Sequence, residues 1–173
     1  MEVEDELMGI DEIEDAELRE SVIAAWQMGL DAGNYDSISE ILWYPEVAGD
    51  DVYHLQHQND VTSVAISLVD TLLERYPDLD VDRDTVIAGA LLHDVSKSME
   101  HAPENANGDE EWVSHPYLAV YLLEELGLSR HLQHVVLAHT PLTSVEPQTL
   151  EAEIVNAADE IAATVYRWVN GIE

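Results

Sequence analysis

Residues 86–95, VIAGALLHDV, run through seven apolar or glycine positions and then set a His and an Asp side by side. A helix with no polar face is buried on most sides. An unpaired buried carboxylate is too costly to persist, so Asp94 needs compensation. A metal cation with His93 as a second ligand supplies it; a hydrogen-bonded His–Asp pair capping the helix also does. The other histidines bear on that choice. His57 stands four residues before Val61 and seven before Val64, so it points with the apolar stripe of its helix. His115 precedes Ala119, Leu122 and Leu126 at helical spacing, and His139 follows Leu132, Val135 and Val136 in the same way. Asp159 has Val155, Ala162 and Ala163 as its helical neighbours. One inward His is ordinarily a satisfied core residue, whereas four helices each turning a His or Asp inward favour a shared metal site. His54, one turn before His57 on the same face, is either an alternative ligand or a partner of one. His101, His131 and His134 fall on loops or surfaces, with His101 alone placed to meet a substrate.

Helices must carry these groups. Apolar residues recur at helical spacing almost throughout, and alternating strand patterns with hairpin turns are missing, so the expected fold is all-α, one bundle of six or seven helices. An acidic leader over 1–15 is expected to fray. Helices are expected over 16–32, 36–43, 52–76 and 84–97, then from a Ser114 cap with Pro116 in the first turn to Gly127, and over 129–139 and 149–169. The polar segment 99–112, with its Pro and Gly, reads as a loop. No repeat or linker divides the chain. Residues 1–50 are expected to pack as leader and N-terminal helices on a metal-binding domain over 51–173, the two forming one structural unit.

The 173 residues include 37 Asp plus Glu against 6 Lys plus Arg, a formal net charge of -31. Phosphate-backbone contacts need Lys and Arg clusters, so a nucleic-acid polymer is excluded as an ordinary partner, and an anionic membrane is disfavoured for the same reason. Without cysteine there is no disulfide, thiolate ligand or thiol nucleophile. The apolar runs fall short of the roughly 20 residues of a membrane span, and the acidic start is unlike a secretory signal. A cytoplasmic location is expected. Self-repulsion on this scale destabilises a compact domain in dilute buffer, but at 1 M salt the screening length falls to about 3 Å. The composition, with no Phe, therefore fits the cytoplasm of a salt-accumulating halophile.

Taken together, the motifs resemble the HD-domain superfamily of metal-dependent phosphohydrolases. The likeness rests on His57 in HQNDVTSVA, the doublet in ALLHDVSK and Asp159 in IVNAADEIAA, with His115 in SHPYLAVYLL and His139 in VVLAHTP between them, over residues 54–165. It implies a binuclear centre of His57, His93, Asp94, His115, His139 and Asp159 bridged by Asp94. Lys97, the single Lys of the chain, stands where the family has its HDxxK lysine. A point charge there suits an anionic substrate oxygen. Ser96 replaces a common Gly, Asp60 stands where a basic residue is frequent, and the Gly-Tyr-Pro signature of the cyclic-di-GMP branch is absent. The order and spacing look closer to the small members that include symmetrical dinucleoside-tetraphosphate hydrolases.

The resemblance further implies two divalent ions, Fe, Mn, Co or Ni, that acidify a water for in-line attack on phosphorus, with Asp94 and Lys97 as the catalytic pair. The expected partner is a small phosphorylated substrate of nucleotide type, with Lys97, His101 and Trp112 as its contacts; a homodimer is compatible with the sequence. Two alternatives keep the same ligands: a mixed-valent diiron oxygenase, and a nucleotide-sensing module without catalysis.

Overall fold

The computed structural model describes residues 2–49, 51–100 and 113–172. Nine helices lie among them: α1 (Val3–Glu6), α2 (Ala16–Gly33), α3 (Pro45–Ala48), α4 (His54–Arg75), α5 (Arg83–Leu92), α6 (Lys97–Glu100), α7 (His115–Glu125), α8 (Arg130–Leu137) and α9 (Leu150–Asn170). Single 3-10 turns occur at Ile10–Glu12 and Ile38–Glu40. The described residues contain no strand, only an isolated antiparallel bridge between Leu42 and Tyr53. Six of the helices have eight residues or more, and the all-α expectation holds.

The helix starts follow local chemistry. Asp15, Asp82, Ser129 and Thr149 each accept backbone N–H groups that the first turns of α2, α5, α8 and α9 would otherwise leave unpaired. Ser114 occupies the N-cap of α7 with Pro116 in the first turn, although its hydroxyl makes no capping bond. Asn34 and Gly171, both left-handed, end α2 and α9.

The central position of α5 explains its lack of a polar face. Ile87, Ala88, Leu91 and Leu92 belong to one core cluster with α2 and α7, while Val86 and Ala90 belong to a second with α4, α8 and α9. Helices α4, α5 and α9 pack pairwise on one another. The Trp26 indole N–H donates to the Leu91 carbonyl at 2.8 Å, tying α2 to the end of α5. Gly89 permits a close approach of α5 to α8: a Cβ there would meet Val135 Cγ1 at 2.5 Å.

Three expectations change. The leader is folded, because Val3, Leu7, Ile10 and Ile13 are buried in the core and Asp84 accepts the N–H groups of Glu14 and Asp15. The helix expected over 36–43 shrinks to one 3-10 turn, since the segment bridges instead to the start of α4 through Trp43 N–H to Val52 O and His54 N–H to Ile41 O. The helix expected over 84–97 ends at Leu92. Adjacent residues on a regular helix diverge by about 100°, which would send His93 and Asp94 to different faces. Tighter bonds, Val95 N–H to Leu92 O and Lys97 N–H to Asp94 O, turn both toward one site before α6 begins. Among the described residues no helix is long and apolar enough to cross a membrane.

Candidate metal centre

His57 comes from α4, His93 and Asp94 from the turn after α5, His115 from the first residue of α7, His139 from just after α8, and Asp159 from mid-α9. The structure brings all six together. His57, His93 and Asp94 form one buried group with donor atoms within 4.8 Å of one another, and Asp94, His115 and His139 form a second. Asp94 is divided between them. Its Oδ2 lies 3.4 Å from His93 Nε2 and 3.9 Å from His57 Nε2, while its Oδ1 lies 2.9 Å from His115 Nε2 and 3.7 Å from His139 Nε2. Asp159 Oδ1 joins the first group, 3.1 Å from His57 Nε2 and 4.0 Å from His93 Nε2.

Surrounding groups fix the rings. His93 Nδ1–H donates to Ala90 O at 2.7 Å and His139 Nδ1–H to Val136 O at 2.6 Å. A carbonyl can only accept, so in both rings the Nε2 atom faces the cluster. His115 Nδ1 is held by Glu100 Oε2 at 3.1 Å. Imidazole ligands oriented in this way by carbonyls and carboxylates are the usual arrangement around a bound metal.

Burial and neighbouring charges oppose one another in the cluster. Burial would raise the Asp94 pKa, yet the charges of His93 and His115 hold it well below the usual carboxylate range. Burial would depress His93, yet Asp94 and Asp159 hold it up at about 9. Burial and the His93 charge pull His139 down to about 4. His93 Nε2 and Asp94 Oδ1 are buried, and none of their contacts among the described residues meets hydrogen-bond geometry. Imidazole nitrogens and carboxylate oxygens, buried and facing one another, fit divalent first-row cations.

His54 is also fully buried, with neither ring nitrogen hydrogen-bonded. Its Nδ1 lies 3.8 Å from Asp94 Oδ2, but it joins neither ligand group. Burial holds its pKa well below the ordinary value, so the ring is neutral.

Lys97 is buried, with its Nζ 2.7 Å from Glu100 Oε2 and 3.9 Å above the Tyr44 ring. Burial would lower its pKa, but Asp94, Tyr44 and Glu100 raise it, so the ammonium stays charged. Glu100, pulled to about 2 against its burial by His115 and Lys97, links the lysine to the ligand set. The spacing Lys97–Glu100 was its only trace in the sequence. His131 and His134 lie away from the cluster: His131 pairs with Glu151 at 3.2 Å, and His134 Nε2 accepts from Gln148 N–H. His101 and Trp112 lie outside the described residues.

A cavity of about 550 Å³ opens on this centre, lined by His57, Asp94, His139 and Asp159 and by Trp43, Tyr44, Ala138, Thr140, Pro141, Leu142, Thr143, Val145, Glu146, Pro147, Asn156, Glu160, Ala163 and Arg167. Lys97 is not on its wall; the Tyr44 ring stands between. Nothing in the sequence pattern marked Trp43 or Tyr44, which reach the site from the N-terminal segment. Asn156 Nδ2 donates to Ala138 O and His139 O, pinning the His139 segment to α9.

Residues 55–164 match the HD domain family. The chain is similar to dihydroneopterin 2',3'-cyclic phosphate phosphodiesterase of Methanocaldococcus jannaschii, 32% identical over 111 residues that cover 61% of this chain and 44% of that protein. It is also similar to ribonuclease Y of Acidothermus cellulolyticus, 34% identical over 85 residues (49% and 15% of the two chains). With ribonuclease Y of Thermosipho melanesiensis it is 33% identical over 101 residues (58% and 18%). The chain spans less than half the length of these relatives. No solved structure matches it.

Proposed function

This chain belongs to the HD-domain family, and from that membership we propose that it is a metal-dependent phosphohydrolase, a phosphodiesterase for a small phosphate ester of nucleotide type. One observation carries the reading: two His/Asp groups share the two oxygens of Asp94 at the wall of a cavity of about 550 Å³. That volume falls within the range of small-molecule sites. A phosphodiester is what the first relative is named for, and the linkages of RNA, cut by the ribonucleases, are phosphodiesters. A net charge of -31 argues against a polymer substrate here.

His57, His93, Asp94 and Asp159 would hold one divalent cation, and Asp94, His115 and His139 a second. Bound there, the pair supplies Lewis acidity toward phosphoryl oxygens and lowers the pKa of water. The protein contributes the rest. Asp94 sets the spacing of the two positions, and the Ala90 and Val136 carbonyls hold the His93 and His139 rings. Glu100 orients His115. Lys97, behind the Tyr44 ring and paired with Glu100, acts on the centre through Glu100 and His115. Trp43, Tyr44 and the 140–147 segment form walls that restrict water. The acidic composition supports an origin in a high-salt cytoplasm, where repulsion between the surface and an anionic substrate is screened.

The test is anaerobic hydrolysis of bis(p-nitrophenyl) phosphate, 2',3'-cyclic nucleotides and dinucleoside polyphosphates with Mn²⁺ or Fe²⁺ in high KCl. Turnover that a chelator removes and that Asp94→Asn lacks is expected. Full turnover by Asp94→Asn, or none on any ester with two metal ions bound, would overturn the reading.

A further inference from the structure

Helix α9 does more than deliver Asp159. Asn156, Glu160, Ala163 and Arg167 follow one another at intervals of four, three and four, a single helical stripe, and all four line the cavity beside Asp159. The stripe has a carboxylate of the metal centre near one end and a guanidinium at the other. Eight residues separate Asp159 from Arg167, about 12 Å along the helix axis before side-chain reach is considered. Ala163 lies between them, and its small side chain leaves that stretch of the floor open.

Arg167 is the sole permanently charged cation among the described lining residues, in a chain with 6 Lys plus Arg against 37 Asp plus Glu. Among the described residues no side-chain hydrogen bond or ion pair engages its guanidinium. Arg83 is held by Glu12 and Asp70 and Arg19 by the Ile13 carbonyl, while Arg75 and Arg130, which like Arg167 show no such bond among the described residues, do not line the cavity. Glu146 and Glu160 on the same cavity wall disfavour an anion elsewhere along it. A second donor among the lining residues is unbonded: the Trp43 indole N–H, on a ring packed against His57, is buried without a hydrogen-bond partner.

We propose that Arg167 is a specificity-determining residue that reads a second phosphate on the substrate, so that the cavity accepts an ester with two separated phosphoryl groups, one at the His/Asp centre and one at the far end of α9. The assignment rests on the phosphohydrolase reading for the first group. A guanidinium fork pairs with two phosphate oxygens at once, which a Lys cannot reproduce. The axial separation, shortened by the reach of the Arg side chain, suits two phosphates on one nucleotide.

The experiment compares adenosine 2',3'-cyclic phosphate with its 5'-phosphorylated form, using the full chain loaded with Mn²⁺. Calorimetric binding and turnover are followed in parallel for the native protein, Arg167→Gln and Arg167→Lys, with metal counted in each. The native protein is expected to bind the 5'-phosphorylated probe about fivefold more tightly, the upper end of what an ion pair at an exposed side chain gives. Arg167→Gln should lose that preference with the metal count unchanged, and Arg167→Lys should restore only part of it. Absence of a preference in the native protein, or its survival in Arg167→Gln, would overturn the assignment. A preference in binding without turnover of either probe would leave Arg167 as an anion reader, and the hydrolase reading would fall only if no ester of the wider panel were turned over. Turnover of both probes at equal KM would do the reverse.

Discussion

Asp94 is the residue on which both halves of the centre depend. Its two oxygens face different His groups, so on the proposed two-ion reading a variant that keeps its shape and loses its charge is expected to bind neither ion, whereas His139→Ala should keep one. Elemental analysis of Asp94→Asn and His139→Ala after Mn²⁺ loading separates these outcomes; equal losses would show that the two positions are not independent. Glu100 acts through His115. Replacing it with Gln removes the charge that holds His115 Nδ1 and Lys97 Nζ, and is expected to weaken binding at the second position about 10–100-fold, the usual cost of losing a partner of a ligand. Competitive Mn²⁺ titration measures it.

At the scale of elements, α5 is the helix whose placement decides the site, because its end delivers His93 and Asp94. It is pressed between two core clusters, and Gly89 lets it approach α8. Gly89→Ala would put a methyl group 2.5 Å from Val135 Cγ1, so α5 or α8 must shift. Overpacking of this kind costs about 1–3 kcal/mol. Thermal unfolding should show a lower Tm, and metal affinity should fall with it as the HD turn is displaced. An unchanged Tm would mean that the α5–α8 contact is looser than it stands. The caps are a second element-scale handle: Glu151, in the first turn of α9, accepts Asp82 N–H at 3.0 Å and pairs with His131, joining the starts of α5 and α9. Its own burial raises its pKa, but these partners outweigh it and lower the value from 4.5. A depressed carboxylate contributes stability above its unfolded value and loses that contribution as pH falls through its folded value. Glu151→Gln should therefore lower Tm at pH 7, and the deficit should close as pH drops below about 4.5. A deficit constant with pH would assign the effect to packing alone.

The whole molecule is governed by its net charge of -31. Repulsion among surface carboxylates opposes the compact state, and salt shortens the range of that repulsion from about 10 Å at 0.1 M to 3 Å at 1 M. Denaturant unfolding at rising KCl is expected to show increasing stability, with most of the gain below 1 M. A flat response would mean that the carboxylates are spaced beyond mutual influence.

Much of the cluster was legible in the chain. A helix with no polar face that ends in His-Asp, and single inward His or Asp residues on other helices, follow from local periodicity, because the 3.6-residue repeat decides which face a side chain takes. That rule also placed the long helices to within a few residues and left His131 and His134 outside the cluster. Periodicity does not say which faces meet. Only packing brought Glu100 against His115, put Tyr44 over Lys97 and placed Trp43 beside His57, since these contacts join segments whose own patterns carry no signal. The same holds for the leader: its acidic residues suggested fraying, yet Val3, Leu7, Ile10 and Ile13 found apolar surface that exists only once α2 and α5 have assembled. The sequence by itself determined which His and Asp residues turn inward. The tertiary structure decided that one carboxylate would serve two clusters and that a single Arg would stand at the far end of their cavity, because both depend on distances between helices that no local interaction sets.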